Sequence, residues 1–507
     1  CWWAGPTAAR RAITLPAGRT ELVWSTTIDR PPLWWPHALG DQPLVDVGLE
    51  VAVDGRPSDH QSRSTGLREI RMDDWVTRVN GERLFLKGSN QGPTRMALGE
   101  APAAVLEADI SLARQAGLDF LRLHAHISRP EIYDAADRLG VLIWQDLPLQ
   151  WGYARRVLPE ARRQARAAVD LIGHHPSVAI WCAHNEPLAL PVTPGPGGTR
   201  AADTPARYLA AQLLPSFNKT VLDRAVAAAL ASADPTRPVV PHSGVLPHLG
   251  SGGTDSHFYF GWYHNRERDL PWLCGLAPRL VRFVSEFGAQ AVPESAAFMA
   301  PERWPDLDWD RLERTHGLQR RFLARNGLAP ERFATFDEWR RATQDHQATV
   351  VRHHVEHLRR LKYRPTGGLA QFCFADGHPA VSWSVLDHER VPKAGLLALA
   401  AACAPVIVTA DRPAPAYRPG AAFYSDVHVV SDLRHDLTGA VVEARLAWEG
   451  GEAAWAWTGT VPADGCARVG AVEAVVPDAP GPLTLGLGLH ADGGEVTATN
   501  RYTAVIG

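Results

Sequence analysis

Val178-Ala-Ile-Trp-Cys-Ala-His-Asn-Glu186-Pro187 is a run of apolar, strand-forming residues that ends on a carboxylate and a turn. The same grammar returns in Val281-Arg-Phe-Val-Ser-Glu286-Phe-Gly288. Ahead of the first run, the spacing over Arg155–Ile172 predicts a helix with an arginine-rich face. A short apolar strand fed by an amphipathic helix is the repeating unit of a parallel sheet, in which chemistry gathers where strands pass into the loops at their C-terminal ends. An acid just past a buried strand is badly placed for stability and well placed for reaction. Two such acids on separate strands, facing across one cleft, supply what glycoside hydrolysis needs: a proton donor for the leaving oxygen, and a nucleophile or base.

Working outward, the alternation holds over a long stretch. Strand-like runs are expected at Arg83–Lys87, Phe120–Leu123, Val141–Trp144, Val178–Cys182, Val239–Val240, Asp255–Tyr259, Val281–Ser285 and Gly368–Phe374. Helical spacing falls between them at Ala103–Ala116, Pro130–Leu139, Lys219–Ser232, Gln347–Tyr363 and Pro392–Ala402. About eight such units predict a (β/α)8 TIM barrel, in the α/β class, over residues 73–405. The polar section at about 293–345 reads as an insertion after the seventh strand. Residues 1–72 read as β structure with strands at Thr20–Ile28 and Leu44–Val53, the content of part of an immunoglobulin-like β-sandwich. From 411 to 507 helices vanish and alternation returns, which predicts a second sandwich.

Composition narrows the partners. A formal charge of −3 on 507 residues implies neither nucleic acid nor an anionic membrane, and no apolar run is long enough to span a bilayer. Eighteen tryptophans offer flat apolar faces suited to sugar rings, a weak pointer to carbohydrate. Six cysteines without a C-x-x-C pair argue against a disulfide framework and a structural zinc site, and no cofactor is expected. His353, His354 and His357 have spacing that suits a metal, but a solvated helix face is the expected reading, so no metal is assigned. Four lysines against 48 arginines suggest a GC-rich bacterial genome. No signal peptide is visible at Cys1-Trp-Trp-Ala-Gly-Pro; the bacterial cytoplasm is the expected compartment, with a leader upstream of Cys1 left open. Oligomeric state is not legible.

An ordered series of segments resembles glycoside hydrolase family 2, and most of all its β-mannosidase branch. Leu33-Trp-Trp-Pro-His-Ala-Leu-Gly-Asp-Gln-Pro-Leu44 is similar to the sandwich signature. Thr65-Gly-Leu-Arg-Glu-Ile70 and Val79-Asn-Gly-Glu-Arg-Leu-Phe-Leu-Lys-Gly-Ser-Asn90 are similar to the entry into the barrel. Ala116-Gly-Leu-Asp-Phe-Leu-Arg122 and Leu139-Gly-Val-Leu-Ile-Trp-Gln-Asp146 match its second and third strands. The Asn185-Glu186 and Ser285-Glu286 runs match the acid/base and nucleophile motifs, and Phe374-Ala-Asp-Gly-His-Pro-Ala-Val-Ser-Trp383 the last strand and its loop.

The resemblance implies a retaining exo-β-glycosidase, with β-galactosidase, exo-β-glucosaminidase and β-glucuronidase on the same frame as alternatives. A non-catalytic carbohydrate-binding protein is the alternative of another class. Glu186 would be the general acid and then base, and Glu286 the nucleophile. Asn185 would hold the 2-hydroxyl. Tyr259 or His257, and Arg122, would aim Glu286 and keep it ionised. Trp383 would form the floor under the sugar, and Trp144 and Asp146 would reach the hydroxyls of the non-reducing end. Members of the family usually begin with a sugar-binding jelly-roll of about 150–200 residues, for which this sequence has no room, and the first sandwich reads as truncated. Ala183-His184 in place of Gly-Asn, and the loop His124-Ala-His-Ile-Ser-Arg-Pro130, also depart from the mannosidase pattern.

Overall fold

The computed structural model describes residues 1–507 apart from Pro6, Trp24, Asn265 and the stretches 188–192, 196–197, 201–210, 212–213 and 246–254. At its centre eight parallel strands form one curled sheet: β1 (Leu86–Gln91), β2 (Phe120–Leu123), β3 (Leu142–Asp146), β4 (Val178–Cys182), β5 (Val239–Val240), β6 (Ser256–His257), β7 (Phe283–Glu286) and β8 (Gly368–Phe372). Their order across the sheet is β5-β4-β3-β2-β1-β8-β7-β6, so sequence neighbours lie side by side and β1 pairs with β8. Among the described residues no backbone ladder joins β5 to β6. Side chains bridge that seam instead: Ser243, just past β5, donates to Asp255 and lies 3.2 Å from Nε2 of His257 on β6.

Helices connect the strands: α1 (Ala103–Gln115), α2 (Pro130–Leu139), α3 (Leu158–Ile172), α4 (Asp223–Ala233), α5 (Leu270–Leu276), α6 (Trp309–Thr315), α7 (Arg320–Arg325), α8 (Phe336–Arg360) and α9 (Ala394–Cys403). Side chains alternate across a strand, so one set packs on the helices and the other fills the inside of the curl. Leu121, Leu123, Ile143, Val284 and Leu369 take the outer core with Ile110, Ile132 and Leu358. Phe120, Trp144, Ile180 and Phe283 plug the inside, with Trp34 and Trp75 below them. Arg122 and Asp146 are two residues further along β2 and β3, so they stand one storey above this plug.

Several sequence expectations are corrected here. The first strand of the curled sheet begins at Leu86 and runs on through Ser89, Asn90 and Gln91, past the expected end at Lys87. They are buried and hydrogen-bonded inside the curl, with Asn90 Nδ2 donating to the Ser285 carbonyl at 2.8 Å, so hydropathy hides them. The shorter Glu82–Leu84 belongs to a separate three-stranded sheet with Ile70–Asp73 and Val76–Val79. The polar insertion at 293–345 is no loose excursion. Its short helices surround an apolar core of Met299, Leu312, Leu318 and Leu323 against Trp262 and Trp339. Its last ten residues already belong to α8, which starts early because Thr335 and Glu338 form a capping box. The helix face expected to be solvated is buried at His353 and His354.

Near the N-terminus the described residues show one four-stranded sheet (Trp2–Ala4, Thr7–Ala9, Val45–Val53, Arg56–Thr65), mostly exposed, where part of a two-layered sandwich was expected. Thr20–Ile28 makes no strand among its described residues, and Leu22 and Val23 are exposed. At the other end, a three-stranded sheet (Val406–Ala410, Ala422–Ser431, Cys466–Val475) and a five-stranded one share a core of Val427, Val429, Val442, Leu446, Leu485 and Leu487. Asp432 fastens this unit to the curled sheet by accepting from Lys87 (2.7 Å), Arg359 (2.8 Å) and Lys362 (2.6 Å).

Candidate active site

The site is built around a buried guanidinium. Arg122 is fully enclosed and reaches three partners: Asp146 through Nη2 at 2.8 Å, the Asn185 side-chain oxygen at 2.7 Å and Glu286 Oε1 at 3.1 Å. Single backbone bridges from Asn185 to Gln150 and to Ser243 extend the sheet past β4 and carry Asn185 and Glu186 over the opening. Glu186 has a φ of 44°, and its amide donates to the Ser243 carbonyl at 3.0 Å.

Glu286 reaches the interior through an irregularity in pairing. Ser256 is registered with Val284 but His257 with Glu286, so β7 carries one extra residue, Ser285, at this point. A bulge of this kind re-aims the next side chain. It turns Glu286 inward, where Tyr259 donates to Oε2 at 2.8 Å and His124 Nε2 lies 3.4 Å from Oε1. Burial pushes the Glu286 carboxyl up. The charge of His257, the His124 hydrogen bond and Arg122 more than reverse this and hold it well below the usual carboxylate range. Burial and the same carboxylate push the Tyr259 phenol well above its usual value, so it stays a donor.

His257 stands between the two acids, with Nδ1 2.9 Å from Glu186 Oε1 and 3.3 Å from Glu286 Oε2. Burial works against its charge, but Glu286 and Glu186 raise its pKa overall. Trp151 Nε1 donates to Glu186 Oε2 at 3.2 Å. One donor atom from each of Glu186, His257 and Glu286 lies within 4.8 Å of the others, so the three have the makings of a cation site. The oxygens of Glu286, however, already accept from Arg122 and Tyr259. The side chain of Glu186 keeps 23 % of its surface accessible and that of Glu286 5 %, so the lip of the site is Glu186.

Six of the residues expected from sequence therefore meet in one place: Arg122, Asn185, Glu186, His257, Tyr259 and Glu286. Trp383 is half-buried at the margin, its ring 6.5 Å from that of Tyr259. Two residues lie elsewhere than expected. Trp144 is sealed in the plug, stacked on Trp75 and Phe120, with its indole N–H spent on Asp146 at 3.0 Å. Asp146 is fully buried beneath Arg122 and braces it, out of reach of a sugar hydroxyl. Trp151, Ser243 and Asp255 were missed, because none sits at the end of an apolar strand-like run.

No family model matches the chain. It is 27% identical over 448 residues to a β-mannosidase B of Thermothelomyces thermophilus, covering 80% of this chain and 51% of that protein. The β-mannosidase B of Aspergillus clavatus is 25% identical over 433 residues, covering 76% and 48%. The chain thus spans about half the length of the curated relatives it matches. Among solved structures, the β-D-mannosidase of Dictyoglomus thermophilum superposes with a TM-score of 0.72 at 20% identity, over 95% of this chain and 58% of that one. An exo-chitosanase of Amycolatopsis orientalis superposes with 0.70 at 20% identity, over 94% and 55%. The superpositions show a shared fold, a curled parallel sheet with added β units, and both sets of relatives carry the names of glycosidases. The curated relatives named above, to which the chain is similar over most of its length, are β-mannosidases.

Proposed function

We propose that this chain is a retaining exo-β-glycosidase that removes terminal β-linked mannose by double displacement. Its curled sheet would act as the (β/α)8 barrel of residues 73–405, between a partial immunoglobulin-like sandwich at 1–72 and a second at 411–507. The observation that carries the mechanism is the closeness of the two acids: donor atoms of Glu186 and Glu286 lie within 4.8 Å of each other. So close an approach fits the ~5–5.5 Å of retaining enzymes better than the ~6.5–9.5 Å that leaves room for an attacking water.

In the first step a Glu286 oxygen attacks the anomeric carbon while Glu186 gives its proton to the glycosidic oxygen. The bond to the leaving alcohol breaks and an ester to Glu286 remains. Glu186, now a carboxylate, takes a proton from water, which attacks the same carbon and releases the sugar and free Glu286. Arg122, Tyr259 and His124 keep Glu286 ionised and aimed before attack. Because the Asn185 oxygen accepts from Arg122, its amide hydrogens are left for the 2-hydroxyl. Mannose is the preferred sugar because the curated homologues are β-mannosidases. The partner class is a glycoside or oligosaccharide, and no cofactor enters any step.

The test is hydrolysis of p-nitrophenyl β-mannoside, galactoside, glucoside, glucosaminide and glucuronide, with Glu286→Gln as control. Release from the mannoside, abolished in Glu286→Gln, is the expected outcome. Release from another sugar would move the substrate to one of the alternatives. Silence across the panel from folded protein would overturn the reading in favour of a binding role.

A further inference from the structure

Behind His257 lies a small polar group that the proposed reaction does not use. Ser243, Asp255 and Ser285 are fully buried, and the hydroxyls of both serines donate to the same oxygen, Asp255 Oδ2. Ser243 Oγ is also 3.2 Å from His257 Nε2. A hydroxyl has one hydrogen. With that hydrogen donated to Asp255 Oδ2, Ser243 Oγ can meet Nε2 only as an acceptor. Nε2 must then carry a hydrogen. The nearest rival is Arg122 Nη1, 3.5 Å from Nε2, and it has a closer acceptor in Glu286 Oε1 at 3.1 Å.

The ring has no freedom to evade this choice. Gly244 has a φ of 79°, and a Cβ there would fall 2.1 Å from His257 Cε1 and 2.2 Å from Nδ1, so the imidazole lies flat on bare backbone. The charged and titratable groups facing the ring are Glu186, Glu286 and Arg122, with Asp255 one hydroxyl further back.

We propose that Asp255 and Ser243 are positioning residues that lock the hydrogen of His257 on Nε2, making Nδ1 the atom that exchanges a proton with Glu186. With Nε2 fixed, a neutral ring presents a lone pair at Nδ1 to a protonated Glu186. A charged ring presents N–H to a carboxylate. The exchange is balanced: imidazolium plus carboxylate gives imidazole plus carboxylic acid, and the proton moves between Nδ1 and Oε1 across the 2.9 Å contact. Trp151, which can only donate, holds the other Glu186 oxygen as an acceptor and keeps the shared proton on the Oε1 side. The pair thus owns one mobile proton, and Asp255 decides where the ring's other hydrogen stays. This inference rests on Glu186 acting as the acid and base of the proposed reaction.

Two measurements test it. In wild-type protein labelled at histidine nitrogen, long-range proton–nitrogen spectra report the ring state of His257, assigned by its loss in His257→Gln. At a pH high enough for the ring to have lost its charge, protonation at Nε2 is expected, and a neutral ring protonated at Nδ1 would overturn the proposal even if every glycoside proved inert. In kinetics, Ser243→Ala and Asp255→Asn should shift the pH profile of kcat/KM. They should also cost at least about tenfold more on alkyl glycosides, whose leaving group needs a proton, than on dinitrophenyl glycosides, which leave unaided. Equal losses on both with an unmoved profile would make the pair merely structural and overturn the assignment. A wild-type enzyme silent on all glycosides would sink the proposed function, and the spectra alone would then decide the tautomer.

Discussion

His257 and the row of buried His353 and His354 with half-buried His357 are imidazoles with opposite fates. His257 faces two carboxylates, and its pKa is lifted despite enclosure. On α8 burial wins. His354 is pushed down to about 4 and His357 to about 3, with Arg360 adding to the effect at His357. His428, from the neighbouring three-stranded sheet, is also pushed down to about 4, by burial and then by Arg360. His354 stacks on Phe287 at 5.0 Å and bonds the Val350 carbonyl, while Nε2 of His353, His354 and His357 lacks a hydrogen-bond partner. Burial alone drives histidine neutral. At His257 the two carboxylates, 3.3 and 2.9 Å from Nδ1, reverse that sign.

The strongest way to break this contrast is at the charged end. His257→Gln should lower kcat/KM by about 10²-fold or more, since it removes the bridge between both acids. A small loss would put the site elsewhere. Tyr259→Phe removes a charge-assisted bond to Glu286 Oε2 and should cost about tenfold to a hundredfold in kcat, with the melting temperature little changed.

The other end of the comparison is sharpened by pH. Unfolded histidine titrates near 6.5, whereas folded His354, His357 and His428 resist protonation down to about 4, 3 and 4. Below pH 6.5 the unfolded chain therefore takes up protons that the folded chain refuses, and stability should fall from there to about pH 4. Melts at stepped pH check this; a flat curve would refute it. His354→Leu should remove part of that fall, about 2 kcal/mol between pH 7 and pH 5, seen as a shallower slope of melting temperature against pH. The smallest effect is expected at Trp144→Phe. Its ring belongs to the plug, so Michaelis constants for small glycosides should stay put while stability drops slightly.

Legibility followed chemistry. Glu186 and Glu286 stood out because an acid ending an apolar run has no structural excuse, and Asn185, Arg122, His257 and Tyr259 came with the motifs around them. Trp144 and Asp146 misled, because they too sit at a strand end; only their height inside the curl separates a brace from a ligand. The second half of β1 was hidden by its polar residues, which count as loop in any hydropathy pattern yet are satisfied inside the curled sheet. Nor does a local pattern reveal that the histidines of α8 are covered, since their cover includes Phe287 and elements more than fifty residues away.

By itself, the sequence determined the repeating strand and helix units, the two acids and the family likeness, because these depend on local periodicity and on residues fixed to strand ends. Tertiary structure alone decided the bulge at Ser285 that turns Glu286 inward, the side-chain seam between β5 and β6, and the sign of each histidine's shift. Those depend on which distant groups meet within a few ångströms, and Coulomb and desolvation energies are set by such distances rather than by order along the chain.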